Sequence, residues 1–314
     1  MSLRSFSLIL LLLILSLLAC NSIELRVSNN GRSKEIRMAS NVSIISYSSR
    51  NSRFKERQVT LKAAWIYVGP IGDYGWTHAH DVARKNVDSK YDWLETIYYE
   101  SVSPGDLGAI IDDAISKGCK LIFTTSFDFM QGTYEAAKKH SDIIFFHCSG
   151  YMRRSNMGTY FAELYQAYYL NGLMAGALTK TGKIGYIAAH LIPEVYRHID
   201  AFALGALEAA EYLGKSIHIY VVKIGEWYAP DKARELAEYL VNEFDVDVLA
   251  FTEDSTATIE YCEDVYKETN GKKLIYCFSH YSPMYDYGPD VVVSGQLVNW
   301  TPIYEDIVLL SLIH

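Results

Sequence analysis

The sequence predicts an α/β fold with two doubly wound parallel-sheet lobes, and three observations carry this prediction. Short apolar segments alternate with segments of helical pattern over most of the 314 residues. Such alternation is typical of parallel strands that are covered by helices on both faces. The alternation occurs in two sets, on either side of a long helical segment at 162–179. The length is also about that of two average domains.

The first set of elements predicts an N-terminal lobe at 61–155. Its first strand ends at Gly69-Pro70, and the second of its helices is expected to stop at Gly118. Both expectations follow because glycine and proline interrupt regular structure. We predict strands at 63–68, 96–99, 120–125 and 143–147, and helices at 78–90, 104–117 and 129–140.

The second set predicts a C-terminal lobe at 156–280, followed by a hinge crossover and a terminal helix at 281–314. The long helix at 162–179 opens this set, and strands and helices then alternate as before. We predict strands at 183–188, 217–222, 247–251, 274–278 and 291–294, and helices at 194–212, 231–244, 257–269 and from residue 302 onward.

The first twenty residues predict a signal peptide. Arg4 precedes an apolar run at 8–18, which is shorter than the roughly 20 residues that a membrane-spanning helix needs. The run ends in Leu-Leu-Ala-Cys, which resembles a prokaryotic lipobox and implies cleavage before Cys20 and lipidation of its thiol. A lipid there would anchor the protein to the cell membrane at its extracytoplasmic face. The alternative is an ordinary secretory signal with an incidental cysteine.

Residues 21–60 predict a flexible basic tether between the anchor and the body. This segment is rich in serine and asparagine, carries more basic than acidic side chains, and shows poor hydrophobic periodicity. The remainder is acidic, so that the whole chain has a net charge of -8. A nucleic-acid binder is therefore not expected, because no basic surface dominates.

The chemistry-bearing motifs of enzymes and metalloproteins are not found in the sequence. The spacing of Cys119, Cys148, Cys262 and Cys277 is unlike that of a metal site, and we expect buried free thiols. The glycines at 69, 72 and 75 depart from the spacing of a dinucleotide-binding loop. A nucleophile elbow, a P-loop and a zinc-protease motif are also missing. We therefore predict no catalytic residue, no metal and no cofactor.

Aromatic and acidic residues follow most of the predicted strands. Ligands of parallel α/β sheets lie beyond the carboxyl ends of the strands, so that these turns are the expected binding region. The turns lack Arg and Lys, which a phosphate or carboxylate ligand would need. They therefore predict a flat, neutral ligand that donates hydrogen bonds. The candidates from these turns are Asp73, Trp76, Phe127, Tyr151, Trp227 and Asp254.

The turn after the first strand carries a resemblance to a known family. Residues 69–77 read Gly-Pro-Ile-Gly-Asp-Tyr-Gly-Trp-Thr, and His80-Asp81 follow shortly after. This segment resembles the opening signature of the basic membrane protein family. Further matches to the family follow in order at 122–127, 165–170, 179–186, 192–195, 227–230 and 299–300.

Members of this family are lipoprotein substrate-binding components of ABC importers, related to the purine-nucleoside-binding lipoproteins. The resemblance implies a periplasmic-binding-protein type I fold, whose two lobes close by hinge motion on a ligand between them. It further implies a purine nucleoside or base as the ligand, an ABC permease and its ATPase as partners, and a monomer.

The resemblance also assigns residues to the ligand. Trp76 occupies the aromatic position after the glycine-rich loop, and Asp73 and Asp254 would accept hydrogen bonds from the ligand. The full set of predicted ligand-binding residues is Asp73, Trp76, Thr77, Phe127, Tyr151, Val195, Trp227, Asp254 and Trp300.

Departures from the family pattern leave alternatives open. Residues 294–300 read Ser-Gly-Gln-Leu-Val-Asn-Trp, without the lysine that contacts ribose in the nucleoside-binding branch. A free purine base or another flat heterocycle is therefore an alternative to a nucleoside. The sequence stops at His314, where the family continues through another helix and strand, which indicates a truncated hinge side or a fragment. A ligand-sensing receptor and a nucleoside-hydrolysing enzyme remain as other functions.

Overall fold

The computed structural model of the protein describes residues 22–29, 32–39 and 61–312. Strands β1 (Ser22–Asn29) and β2 (Arg32–Ala39) pair antiparallel, with Ser22 opposite Ala39. This hairpin occupies part of the segment that we predicted to be a flexible tether. The predicted signal peptide and Cys20 lie outside the described residues. The hairpin belongs to a compact unit of its own, and the elements below belong to a second unit.

The first lobe is a five-stranded parallel sheet in the order β4-β3-β5-β6-β7. Its strands are β3 (Leu61–Tyr67), β4 (Leu94–Tyr99), β5 (Leu121–Thr125), β6 (Ile144–Cys148) and β7 (Met157–Tyr160). Its helices are α1 (Trp76–Lys90), α2 (Leu107–Ser116) and α3 (Met130–Lys139), and a short 3-10 helix at Phe127–Phe129 precedes α3.

The second lobe is another five-stranded parallel sheet, in the order β12-β11-β10-β8-β9. Its strands are β8 (Lys183–Ala188), β9 (His218–Lys223), β10 (Val248–Phe251), β11 (Tyr276–Tyr281) and β12 (Val292–Leu297). Its helices are α4 (Tyr165–Leu178), α5 (Pro193–Tyr212), α6 (Pro230–Phe244) and α7 (Ala257–Glu268), with a 3-10 turn at Tyr285–Tyr287.

These two sheets confirm the predicted α/β fold with two doubly wound lobes. Helix α8 (Thr301–Leu310) returns to the first lobe, where the Tyr304 ring packs against Trp65 and Phe123. The chain therefore crosses between the lobes twice, after β7 and after β12. Both crossings differ from the predicted boundaries, since β7 lies in the first sheet and β12 in the second.

Strands β7, β11 and β12 differ most from the prediction, and β12 ends three residues beyond its predicted end. Strand β7 has only one fully buried residue, so that its sequence lacks the apolar run that marks an interior strand. Strand β11 extends to Tyr281, three residues beyond the predicted end. The extension contains His280, which is tolerated in the interior because its Nδ1 bonds to the Tyr168 hydroxyl at 2.9 Å.

Helices α4 and α5 pack closely through glycines. A Cβ at Gly172 would lie 2.1 Å from the Phe202 carbonyl oxygen, and a Cβ at Gly205 would lie 2.1 Å from the Tyr169 carbonyl oxygen. Such distances are too short for any side chain. Glycine at these positions therefore sets the separation of the two helices.

The four cysteines of the body are free and buried, as predicted. Cys262 on α7 and Cys277 on β11 place their sulfur atoms 3.0 Å apart without a bond. Among the described residues, no cluster of His, Cys, Asp or Glu is arranged to hold a metal ion. The helices in this part of the chain include none with the length and apolar character of a membrane span.

Candidate functional site

A partly open cavity lies where the carboxyl ends of strands from both sheets meet. We call it the inter-lobe cavity. Its position follows from the fold, because the strand ends of each lobe face the same crevice. The first lobe contributes Val68, Trp76, Ser126, Phe127 and Ser149, and the second lobe contributes Glu194, Trp227, Asp254 and Tyr281.

Trp76 is the first residue of α1 and is held by contacts from both lobes. Its indole Nε1 donates to the Thr125 carbonyl oxygen at 2.6 Å, and its backbone N–H donates to Asp254 Oδ1 at 3.1 Å. The ring also packs edge-on against Tyr281, with centroids 5.0 Å apart. These contacts fix the orientation of the indole at the wall of the cavity.

Asp73 orders the loop before α1 and does not line the cavity. Its carboxylate accepts from the backbone N–H groups of Gly75, Thr77 and His78 at 2.9–3.0 Å. These bonds satisfy N–H groups that a helix N-terminus leaves without intrahelical partners. Burial nevertheless raises the pKa of Asp73 to about 6, against the lowering effect of the backbone bonds. Thr77 is buried in the same turn.

Asp254 follows β10 and contacts the first lobe directly. Its carboxylate accepts the Trp76 N–H, so that the second lobe supplies part of the cap of α1. Burial raises the pKa of Asp254 well above its usual range, and the nearby Asp73 and Glu253 raise it further. Gly75 permits this approach, because a Cβ there would lie 2.8 Å from the Asp254 Cα.

Glu194 is the main residue that the sequence analysis missed. It lies in the first turn of α5, its Oε2 accepts from the Ser149 hydroxyl of the first lobe, and its Oε1 accepts from the Tyr281 hydroxyl at 3.3 Å. We call these three residues the Glu194 bridge. Burial raises the pKa of Glu194 to about 7. An acidic residue in a helix that starts just after a strand was the available sequence signal.

Phe127 and Trp227 complete the aromatic wall. Phe127 begins the 3-10 helix after β5, and Trp227 reaches over from the loop after β9. The indole Nε1 of Trp227 donates to Asp128 Oδ2 at 2.7 Å, which is another direct hydrogen bond between the lobes near the cavity. Rings from both lobes therefore face the same small space.

Besides Asp73 and Thr77, three more predicted site residues do not line the cavity. Trp300 is fully buried and stacks on His80 at 4.5 Å, so that it supports Trp76 from behind. Val195 is buried in the core of the second lobe. Tyr151 is 74% exposed. Residues that line the cavity without having been predicted are Val68, Ser126, Ser149, Glu194 and Tyr281.

The chemical character of the cavity follows from its lining. Four aromatic rings can stack on a flat ligand, and Asp254 and Glu194 can form hydrogen bonds at its edges. Among the described residues that line the cavity there is neither Lys nor Arg. An anionic ligand would lack a counter-charge in this space.

Two parallel α/β lobes with a cavity at the carboxyl ends of their strands are typical of the periplasmic-binding-protein-like fold. A family model described as ABC transporter substrate-binding protein PnrA-like matches residues 60–310. The chain therefore belongs to this Bmp family of ABC transporter substrate-binding proteins, as the resemblance implied. The family consists of binding proteins, which is consistent with the prediction that the chain is not an enzyme.

Curated relatives include proteins with different stated ligands. The chain is 37% identical over 245 residues to a putative ABC transporter glucose-binding protein of Haloferax volcanii, covering 78% of the chain and 59% of that protein. It is 36% identical over 248 residues to a purine-binding protein of Brucella abortus, covering 78% of the chain and 67% of that protein. The chain thus spans about 60% of the length of the first of these relatives.

More distant matches include a receptor-like protein and a solved structure of a solute-binding protein. A metabotropic glutamate receptor-like protein of Dictyostelium discoideum is 25% identical over 252 residues, which is 78% of the chain and 31% of that protein. A crystal structure of an ABC transporter solute-binding protein from Aeropyrum pernix superposes with a TM-score of 0.70 at 16% identity, covering 79% of the chain and 70% of that structure. This superposition supports the fold alone.

Proposed function

We propose that the protein binds a purine base or purine nucleoside in the inter-lobe cavity and presents it to an ABC permease. The observation that carries this proposal is a cavity walled by aromatic rings from both lobes, with two buried carboxyl groups at its edges. A flat heterocycle with N–H groups is the ligand class that matches rings and carboxyls together. The purine-binding relative from Brucella abortus supports the same ligand class.

The sequence of the second crossover favours a free base over a nucleoside. The segment at 294–300 lacks a lysine that could contact ribose. A planar base without a sugar is therefore the ligand that the described residues favour.

The expected contacts are sufficient for useful affinity. Stacking on an aromatic side chain contributes about 1–3 kcal/mol per base. A hydrogen bond to a charged group contributes about 1.5–3 kcal/mol. A few such contacts, less the cost of ordering the ligand and closing the lobes, correspond to a dissociation constant below the micromolar range.

The remaining parts of the proposal concern location and partners. We infer a lipid anchor at Cys20, a position on the extracytoplasmic face of the cell membrane, and action as a monomer together with a permease and its ATPase. The family supports the importer partners, and the lipobox-like sequence supports the anchor. Mass spectrometry of the mature protein would detect diacylglycerol on Cys20, and an unmodified thiol would contradict the anchor.

Isothermal titration calorimetry tests the ligand class. The probes are adenine, hypoxanthine, adenosine, inosine and glucose, each added to the protein at the same concentration. We expect at least one free base to bind below micromolar and adenosine to bind more weakly. Binding of glucose with silence from all four purines would replace the proposal with a sugar-binding function.

A ligand-sensing receptor is the second candidate, and the receptor-like relatives from Dictyostelium discoideum favour it. The two functions share the cavity and differ in what reads its occupancy. Uptake of radiolabelled base by cells that carry or lack the gene separates them, since only an importer component changes uptake. Incubation with nucleosides, followed by chromatography for released base, tests the remaining enzymatic alternative.

A further inference from the structure

The Glu194 bridge combines a buried carboxyl group with two hydroxyl donors whose backbone has a positive φ angle. Ser149 and Tyr281 hold the same carboxyl group from opposite lobes, and both have positive φ angles, 73° and 58°. Such angles are costly for residues other than glycine and persist where the surroundings impose them. Ser149 directly follows β6, and Tyr281 is the last residue of β11, so that both lie at strand ends beside the cavity. The strained backbone thus serves to aim two hydroxyl groups at Glu194.

Burial of Glu194 disfavours a negative charge and outweighs the opposite effect of the hydrogen bonds from Ser149 and Tyr281. The glutamate is 7% exposed, and the only basic side chain that acts on it electrostatically, among the described residues, is the exposed Arg197. Asp254 faces the same cavity, and negative charges on both carboxyl groups would repel each other. Nearby tyrosine and cysteine side chains remain neutral because burial raises their pKa. The titratable groups that face Glu194 are Asp254, Cys148, Tyr168, Tyr186, Tyr281 and Arg197.

A protonated carboxyl group offers a hydrogen-bond donor and an acceptor side by side. Its complement is an edge with a neighbouring N–H donor and ring-nitrogen acceptor. Adenine has such edges, one that includes its amino group and one that includes its imidazole N–H. A carboxylate would offer acceptors only and would face the unpaired nitrogen with a negative charge.

We propose that Glu194 is a specificity-determining residue that, in its protonated form, pairs with a donor–acceptor edge of an aminopurine base while joining the second lobe to the first through Ser149. This inference rests on the proposed function. Glu194 would recognise the ligand through this donor–acceptor edge, and the recognition requires the proton on its carboxyl group. No bond is formed or broken, and the proton stays on the carboxyl group.

Calorimetry with adenine between pH 6 and pH 8.5 tests the proposal. We expect the dissociation constant of the unaltered protein to rise tenfold or more over this range, because the carboxyl group loses its proton. Glu194→Gln retains a donor and an acceptor but does not titrate. Its dissociation constant should stay within threefold of the unaltered protein at pH 6 and should vary little up to pH 8.5.

Glu194→Leu provides the complementary variant, since it keeps the size and removes both hydrogen-bonding groups. We expect its affinity for adenine at pH 6 to fall tenfold or more. The matched control is Glu208→Gln on the same helix, where an exposed glutamate accepts from the Tyr169 hydroxyl. This control should leave the affinity and its pH profile unchanged. Thermal unfolding of each variant shows whether it is folded.

Two further probes identify the edge. Unsubstituted purine lacks the amino group, and 9-methyladenine lacks the imidazole N–H, so that one of them should bind about tenfold more weakly than adenine. Equal binding of all three, or a pH profile that survives in Glu194→Gln, would overturn the inference while leaving purine binding intact. Absence of any purine binding to the unaltered protein would instead overturn the proposed function itself.

Discussion

At the scale of single residues, Trp76, which we propose to stack on the ligand, has a side chain that other protein groups already hold in one orientation. The indole is fixed by a hydrogen bond from its own ring to Thr125 and by edge contacts to Tyr281 and Trp300. A ring that is already ordered loses little conformational entropy when a ligand stacks on it. We therefore expect a large share of the affinity to depend on this side chain.

Trp76→Ala should weaken binding of the preferred base tenfold or more, which corresponds to about 1.4 kcal/mol. The reason is loss of the stacking surface at the wall of the cavity. Trp93→Ala is a matched control, because Trp93 packs against Tyr91 away from the cavity. Calorimetry on both variants checks the prediction, and an unchanged dissociation constant for Trp76→Ala would assign that ring to packing alone.

Trp227 offers a separate test of closure at the residue scale. Trp227→Phe keeps an aromatic ring but removes the N–H that donates to Asp128 across the lobes. We expect a three- to tenfold loss of affinity, since one hydrogen bond to a carboxylate contributes roughly 1.5 kcal/mol at a partly exposed site. Asp128→Ala should cost a similar amount. In a double-mutant cycle the two losses should not add, and full additivity would contradict a shared bond.

At the scale of elements, the alternation of apolar and helical segments was enough to predict most strands and helices. Burial on both faces makes parallel strands continuous apolar runs, and this signal is local. Strand β7 and the end of β11 were not predicted because their stability comes from neighbours distant in sequence, such as Tyr168 against His280. The close contact of α4 and α5 is likewise visible only once the two helices are in place.

Gly172→Ala should destabilise the protein by about 1–3 kcal/mol, the usual cost of overpacking. The added methyl group would meet the Phe202 carbonyl oxygen of α5, which belongs to the backbone and cannot move independently. Gly108→Ala on α2 is the matched control, because its Cβ would meet nothing within 4 Å. That change should stabilise by about 0.5–1 kcal/mol through helix propensity. Chemical denaturation of both variants measures the two effects.

At the scale of the whole molecule, the acidic residues between the lobes determine how stability responds to pH. Burial raises the pKa of Asp73 to about 6 and those of Glu194 and Glu253 to about 7. A folded-state pKa above the unfolded value means that the folded protein holds protons that the unfolded chain has released. The free energy of unfolding therefore falls as pH rises through that window.

Buried histidines act in the opposite direction at lower pH. Burial lowers the pKa of His147 to about 4 and that of His198 to about 3, both from 6.5. The unfolded chain then binds more protons, so that stability falls as pH decreases below about 6.5.

Below pH 6.5 the two sets of groups oppose each other, whereas above pH 6.5 the carboxyl groups dominate, so that we expect thermal stability to decline between pH 6.5 and pH 8. Scanning calorimetry from pH 5 to pH 8.5 measures it, and Glu194→Gln should lessen the decline on the alkaline side. A melting temperature that continues to rise up to pH 8 would contradict these assignments.

The candidate site illustrates how far sequence can define function in a two-lobed protein. Trp76, Phe127, Trp227 and Asp254 line the cavity and could be named because turns after parallel strands converge on one edge. Glu194, Ser149 and Tyr281 also lie at or just after strand ends, but their hydrogen bonds to one another are seen only in the folded structure. Trp300 has the right residue type but packs one layer behind the cavity.

The close approach of Gly75 to Asp254 means that closure of the two lobes depends on glycine at position 75. Any methyl group at position 75 would collide with the opposite backbone, so that Gly75→Ala should act as a spacer. We expect this variant to retain a larger radius of gyration in small-angle scattering with adenine than the unaltered protein does.

A spacer variant of this kind would still touch the base with one half of its binding surface. It would not reach the closed conformation by which a permease could distinguish the ligand-bound protein from the ligand-free protein. The missing Cβ at Gly75 would then be what allows the lobes to close on a ligand, and the closed form is what we propose that the permease recognises.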